Sequence, residues 1–286
     1  MNGARAGGMI KAGLIIKGGS LKMSVAGAGK EPFFHSAIIP AAAGLSCSRR
    51  DFRKAMEHAA VVMSDTLKGR YALISLLVPD TETHFRAKNI QNGEAKGVLE
   101  YMKLLLSAKG TERIKCAAGR GAGGSKIAYA FSAYEDYIRD CEDIFYEKGL
   151  ALFRAVPEAV VVYDYVSGKT ETGNSAIFSA DYDSWSFLKV SEYGHPQLFL
   201  SGKTGTYAQN REETGRIFAG IERALRAGIF GGKITEPVKI IFTGREESLI
   251  NIEKEASARF GCAFEKIIFP AGPADGLLSL HAAVME

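Results

Sequence analysis

Two stretches of this chain, about 164 residues apart, share one pattern of strand, turn and strand. Residues 12–23 and 176–187 each consist of an apolar run, a polar turn and a returning apolar run, which predicts paired strands. A second turn follows at a matching distance in both, at 29–33 and 194–197, and leads into another apolar run. A three-strand unit used twice predicts a fold with two similar lobes.

The composition is that of an ordinary globular protein. The 286 residues are 47% hydrophobic, enough to bury the core of one large or two modest lobes. The net charge of +4 is the small difference between 36 basic and 32 acidic side chains, without a dense block of lysine and arginine. We therefore expect no nucleic-acid partner.

Cysteine and histidine usage argues against a metal site. The cysteines, Cys47, Cys116, Cys141 and Cys262, form no Cys-x-x-Cys pair, and the five histidines are equally scattered. This pattern is typical of buried thiols in a reducing cytoplasm. Residues 1–8 are predicted to be a flexible N-terminus rather than a signal peptide, and no run approaches the ~18 apolar residues of a membrane span.

Hydrophobic periodicity predicts an α/β layout in which helices cover the sheets. Helices are predicted at 51–67, 94–106, 133–148, 212–227, 248–260 and 274–284. Further strands are predicted at 71–79, 113–118, 126–131, 151–155, 159–165, 238–243 and 264–269. Gly149 is predicted to cap the helix that ends at residue 148.

Two glycine motifs suggest nucleotide binding and are each better explained otherwise. Gly119–Gly124 matches G-x-G-x-x-G, but the alternating aromatic run after it predicts a strand, so we interpret it as a hairpin loop. Gly202-Lys203-Thr204 matches the last three residues of the P-loop motif G-x-x-x-x-G-K-[ST]. The first glycine of that motif would be residue 197, which is Gln197. Asp164, at the end of a predicted apolar strand, is the carboxylate placed where α/β proteins bind ligands.

Four segments together resemble the actin-like ATPase superfamily, in particular the PilM and FtsA group and the cytoplasmic domain of GspL. Residues 13–22 resemble the family's opening strand and phosphate loop, and residues 127–138 resemble the strand and helix of its small subdomain. Residues 241–244 resemble the family's adenosine-side strand, and residues 269–280 resemble its closing loop and helix.

The resemblance implies an α/β fold with two duplicated, ribonuclease H-like lobes and a small α/β insertion. It places lobe 1 at 9–90, similar to subdomain 1A, and returns to it at 157–166. The insertion, similar to subdomain 1C, is expected at 91–156. Lobe 2 is expected at 167–286, similar to subdomain 2A with a much reduced 2B.

The chain departs from the family at the positions that serve the nucleotide. In the family, an aspartate in each loop serves the metal, and glycine-rich backbone cradles the phosphates. Here the first aspartate position holds Ile15 and the following glycine is Lys17, while the second loop holds Ser179 and Asp181. Shifting the alignment of the second loop by two residues brings Asp181 into the aspartate position. The first loop still has Ile15 in place of its aspartate. Arg245 and Glu246 replace two glycines after Gly244.

The resemblance therefore implies a pseudo-ATPase with no catalytic residues and no bound cofactor or metal. Residual contact with ATP and magnesium is left open at a vestigial nucleotide cleft. Its expected residues are Gly18, Gly19, Ser20, Lys22, Asp181, Asp183, Ser184 and Gly244.

The function implied by the resemblance is a scaffold of a type IV pilus or type II secretion platform. Such a protein is cytoplasmic and peripheral to the inner membrane, where it docks the cytoplasmic tail of a PilN-like membrane protein and an assembly motor ATPase. It has no membrane span of its own, and homodimers are possible. The alternative is an active ATPase or small-molecule kinase of the same superfamily. A third interpretation, an unrelated enzyme that binds nucleotide at Gly119–Gly124, requires that loop to begin a helix.

Overall fold

The computed structural model describes most of the chain. The described residues are 10–17, 20–26, 33–38, 49–68, 70, 72–90, 95–107, 112–120, 126–180, 184–203, 211–228, 234–244 and 249–267. The predicted flexible N-terminus at 1–8 and the predicted terminal helix at 274–284 lie outside these ranges.

The described chain contains both strands and helices in a mixed α/β order, as the periodicity predicts. The strands are β1 Ile10–Lys17, β2 Ser20–Ala26, β3 Phe33–Ile38, β4 Ala72–Val78, β5 His84–Ile90, β6 Glu112–Arg120, β7 Lys126–Tyr134, β8 Leu152–Pro157, β9 Ser175–Ala180, β10 Ser184–Val190, β11 Pro196–Lys203, β12 Lys239–Gly244 and β13 Ala263–Lys266. The helices are α1 Arg49–Leu67, α2 Ala95–Ser107, α3 Glu135–Glu147, α4 Glu158–Ser167, α5 Arg211–Ala227 and α6 Leu249–Phe260.

The two five-stranded sheets have the same topology, which confirms the predicted duplication. The first has the order β3-β2-β1-β4-β8 and the second has the order β11-β10-β9-β12-β13. In each, three antiparallel strands joined by hairpins are followed by two strands that pair in parallel. The parallel strands are fed by helical crossovers, as parallel pairing requires.

A third sheet of three antiparallel strands has the order β5-β7-β6. Helix α2 covers one face, where Val98 and Met102 pack with Ala128 and Ala130. On the opposite face, Phe131 of β7 meets Phe199 of β11 with ring centroids 5.9 Å apart. This small sheet is therefore buried on both faces, like a miniature layered domain.

The chain folds into two compact units, each made of separate segments. Unit 1 contains residues 1–79, 135–161 and 271–286, and unit 2 contains residues 80–134 and 162–270. Two placements expected from sequence need correction. Strand β5, expected in lobe 1, pairs with β7 of the small sheet. Helix α3 and strand β8, expected in the insertion, pack against α1 and pair with β4.

The predicted strand at 159–165 is wrong, because this segment is helix α4. Its valine-rich sequence favours a strand by propensity. Ala159, Val162 and Val166, however, are all buried at helical spacing, so tertiary packing decides the conformation. Strand β5 was not predicted, although its half-buried Phe85 and buried Ala87 alternate with Arg86 and Lys88.

Candidate functional site

The parallel strands of unit 1 end at one edge of the first sheet. Strands β1, β4 and β8 are adjacent and parallel, so their carboxyl ends lie side by side. Ligands of open α/β sheets bind outside such ends. Lys17 is the last residue of β1, and Glu158 follows β8 directly as the first residue of α4. This carboxyl edge is the candidate site of unit 1.

Ile15 occupies the position at which the resemblance expects a metal-binding aspartate. Its side chain has no exposed surface, and its backbone pairs with Lys22 of β2. Every neighbouring position of β1 from Ala12 to Ile16 is also buried. An ionised carboxylate at residue 15 would therefore lose its hydration without a compensating partner of its own.

Lys17 and Glu158 form a buried ion pair at the carboxyl edge of unit 1. The Lys17 ammonium donates to both Glu158 carboxylate oxygens, at 3.1 and 3.4 Å. The two side chains are only 10% and 8% exposed. Because β4 lies between β1 and β8 in the sheet, the pair spans the carboxyl end of β4.

The sequence analysis noted Lys17 only because it replaces a glycine of the family's first loop, and it did not identify Glu158. The signal that was available is local: an acidic residue lies three positions after the strand predicted at 151–155, where it can begin a helix. The segment from 159 to 165 was predicted as a strand, which hid that position. The two residues are also 141 positions apart, so no sequence motif joins them.

The second sheet presents an equivalent edge within unit 2. Strands β9 and β12 are parallel, and Gly244 at the end of β12 pairs with Ala180 at the end of β9. The Ser179 and Thr243 hydroxyl oxygens lie 2.6 Å apart and form a hydrogen bond. Ser184, the first residue of β10, is buried. Hydroxyl groups therefore line this edge at the two described strand ends.

Half of the predicted cleft residues lie outside the described residues: Gly18, Gly19, Asp181 and Asp183. Ser20 and Lys22 lie in β2 of unit 1, whereas Ser184 and Gly244 lie in β10 and β12 of unit 2. That these eight residues together form one nucleotide site therefore stays a prediction.

Asp164 does not lie at a strand end, so its predicted placement is corrected. It is an exposed residue within α4. The adjacent Tyr163 hydroxyl donates a hydrogen bond to the Gly194 carbonyl in the turn before β11. Burial, with smaller contributions from Tyr163 and Asp164, raises the pKa of Tyr129 on β7. These contacts all lie within unit 2.

The two glycine motifs are not nucleotide loops. Gly119 and Arg120 pair with Ile127 and Lys126, so the loop at 121–125 joins two antiparallel strands. The predicted hairpin is confirmed, and the interpretation that required a helix after this loop is wrong. Gly202 and Lys203 lie in strand β11 and pair with β10, which excludes a P-loop turn at those residues.

No group of three or more metal-binding side chains occurs among the residues that the structure describes. Within the same residues, no helix is long and apolar enough to cross a membrane.

The sequence matches no protein-family model and no curated protein. Solved structures, in contrast, match over nearly the whole chain. The PilM–PilN type IV pilus biogenesis complex contains a chain with a TM-score of 0.65 and 11% identity, and the match covers 96% of this chain and 97% of that chain.

Two further structures match at similar coverage. A Bacteroides thetaiotaomicron protein of unknown function with an actin-like ATPase fold has a TM-score of 0.58 and 12% identity, covering 97% of this chain and 96% of that one. The cytoplasmic domain of EpsL, an inner-membrane component of the Vibrio cholerae type II secretion system, has a TM-score of 0.54 and 11% identity, covering 96% and 93%. The chain therefore has the actin-like fold, as the resemblance implied.

Proposed function

We propose that this protein is a non-catalytic scaffold of the inner-membrane assembly platform of a type IV pilus or a type II secretion system. In this role it is cytoplasmic and docks two partners, the cytoplasmic tail of a PilN-like membrane protein and an assembly motor ATPase. The PilN-like protein holds it at the inner membrane, as a peripheral component.

The fully buried Ile15 is the observation that carries the non-catalytic part of the proposal. Actin-like ATPases hold a metal and its water with a carboxylate at this position of the resemblance, and isoleucine offers no ligand to a divalent cation. Substituting aspartate alone would not recreate the site, because the surrounding strand positions are also buried.

The assembly role is supported by the similarity to chains from a pilus complex and a secretion component. The PilM–PilN structure shows that one protein of this fold assembles with PilN. The matches span more than nine-tenths of each chain, so the likeness includes both duplicated sheets and the small sheet.

Calorimetric titration with a nonhydrolysable ATP analogue and magnesium tests the non-catalytic part. We expect no heat of binding at millimolar nucleotide. Binding at micromolar affinity that is abolished by Asp181→Asn would overturn it and favour the alternative, an active ATPase or kinase. The control is Asp143→Asn, an exposed acidic residue on α3.

Titration with synthetic peptides tests the docking part separately. A peptide with the sequence of the cytoplasmic tail of a PilN-like protein from the same genome is expected to bind, and a scrambled peptide of equal composition is not. Equal binding of the two peptides, or binding of neither, would contradict the proposed partner and leave the nucleotide result unaffected.

A further inference from the structure

Two exposed aromatic side chains lie at one corner of unit 1. Tyr146, in the last turn of α3, is 81% exposed, and Phe153, in β8, is 62% exposed. The connection between the two elements is only four residues long, 148–151, and α3 packs against β8. We call the exposed residues from 143 to 153 the α3–β8 corner.

An irregularity in β8 accounts for the exposure of Phe153. Leu152 pairs with Ile74 of β4 and Arg154 pairs with Ser75, so Phe153 has no partner on β4. Bulges of this kind redirect a side chain and occur beside functional sites. β8 is also the last strand in the order of the first sheet, and no described strand pairs with its other side. Phe153 therefore lies at the surface of a sheet edge and adds little to the core.

The α3–β8 corner is acidic, and its charge opposes the dipole of α3. This helix contains six acidic residues and one basic residue, and its last turn has no basic residue. The C-terminus of a helix carries partial negative charge, so acidic side chains there are unfavourable. Asp143 and Glu147 are exposed and form no ion pair with any residue that the structure describes. Lys148 is the single basic residue of the connection to β8.

Neither the exposed rings nor the acidic residues help to stabilise the folded chain. Single exposed apolar residues are common on protein surfaces and need no explanation. Two aromatic rings beside unpaired carboxylates, however, have the composition of a binding surface. Aromatic residues are prominent among those that carry the binding energy of interfaces, and surplus negative charge favours a basic partner.

We propose that the α3–β8 corner binds the basic juxtamembrane segment of the membrane partner, which is the part of its cytoplasmic tail next to the membrane span. Cytoplasmic segments within about 15–20 residues of a span carry an excess of lysine and arginine. These side chains complement Asp143 and Glu147, and apolar residues of the same segment pack on Tyr146 and Phe153. This inference rests on the proposed function, which supplies the membrane partner, and it adds the surface and the chemistry of the contact.

Titration of the full-length chain with a synthetic juxtamembrane peptide of the PilN-like protein tests the inference. We expect Tyr146→Ser and Phe153→Ser each to weaken binding at least about tenfold, because each removes a ring that packs on the peptide. Tyr101→Ser, at an exposed tyrosine of α2, is the matched control and should leave the affinity unchanged. The unfolding midpoints of all three variants should stay close to that of wild type, since none of these rings is buried.

A pair of double variants tests the charges. Asp143→Asn/Glu147→Gln should weaken peptide binding and reduce its dependence on salt, because two attractive charges are lost. The same variant should not lower the unfolding midpoint, since it removes negative charge from the C-terminal end of α3. Glu171→Gln/Glu192→Gln removes equal charge from two exposed positions of unit 2 and should bind the peptide as wild type does.

The outcomes separate this inference from the proposed function. Equal binding of the juxtamembrane peptide by wild type and by the aromatic and charge variants, or no binding by wild type, overturns the inference. Equal losses in the variants and in their controls overturn it as well. The proposed partner is judged by the complete tail peptide against its scrambled control, so it stands if that peptide binds, whatever the α3–β8 corner does.

Discussion

Lys189 on β10 has no exposed surface, and the two described acceptors of its ammonium are neutral oxygens. Its ammonium donates to the Asn174 side-chain oxygen at 2.8 Å and to the Val190 carbonyl at 2.6 Å. Asn174 has a positive φ of 50° at the entry to β9, and it also accepts a hydrogen bond from the Thr235 hydroxyl. Lys189 therefore fixes the turn that starts the second duplicated unit.

Burial lowers the pKa of Lys189 from 10.5 to about 8. Between these two pH values the unfolded chain binds more protons than the folded chain, so stability rises with pH across this window. We expect the free energy of unfolding of wild type, relative to Lys189→Met, to increase by at most about 1.4 kcal/mol per pH unit there. Urea unfolding at several pH values measures this difference, and a difference independent of pH would contradict the assignment.

Gly202 on β11 lies directly opposite Trp185 on β10. A Cβ atom at residue 202 would lie 2.8 Å from the indole Nε1 of Trp185, which is too close. We expect Gly202→Ala to destabilise the protein by about 1–3 kcal/mol, because the indole must shift from its stack on Phe178. Chemical denaturation followed by circular dichroism measures the change.

A double-mutant cycle provides the control for this contact. In a Trp185→Leu background the indole is absent, so Gly202→Ala should cost clearly less than in wild type. An equal cost in both backgrounds would show that the substitution acts on the backbone of β11 and not on Trp185.

At the scale of elements, helix ends and helix interiors place opposite demands on glycine. Gly149 follows α3 with a positive φ of 70°, and the hydrogen bonds from Gly149 to Tyr146 and from Leu150 to Phe145 form a Schellman motif. Gly220 lies inside α5, and a Cβ at either glycine would meet nothing within 4 Å. Space is therefore not limiting at either position.

We expect Gly220→Ala to stabilise the protein by about 0.5–1 kcal/mol, because alanine has the higher helix propensity. Gly149→Ala should destabilise it by about 1 kcal/mol, because alanine disfavours the left-handed conformation. Urea midpoints of the two variants measure the difference. Effects of the same sign would contradict the argument, since the substitutions are chemically identical.

Elements were predictable from sequence where local pattern and packing agree. The repeated hairpins, the buried strand β4 and the Gly149 cap each have a local signal, and all three are confirmed. Helix α4 was predicted as a strand because its valines favour that conformation. Strand β5 was not predicted because most of its residues are polar. The Lys17–Glu158 pair was beyond reach, because only the sheet order brings those residues together.

At the scale of the whole molecule, the two units differ in how the chain builds them. Unit 1 takes α3 and β8 from residues that follow the small sheet, so no continuous segment contains it. The second five-stranded sheet, in contrast, lies entirely within residues 175–266. Its core combines β9, β10 and β12 with α5 and α6, including Phe178, Phe187, Phe218 and Phe242.

We therefore expect a fragment of residues 168–270 to fold on its own and to unfold cooperatively. All of that sheet and its helical layer are present, and a core of this kind suffices for a domain of about 100 residues. Trp185 is the only tryptophan of the chain and stacks on Phe178 in this core, so its fluorescence reports the transition.

The fragment loses contacts made in the whole chain, because Phe199 packs against Phe85 and Phe131 of the small sheet and Gly194 accepts a hydrogen bond from Tyr163. Its stability should be lower than that of the full chain for this reason. The control is Phe218→Ala, which removes a fully buried ring and should cost about 3–5 kcal/mol, enough to abolish the transition. A non-cooperative fluorescence change in the unmodified fragment would show that the second sheet depends on the rest of the chain.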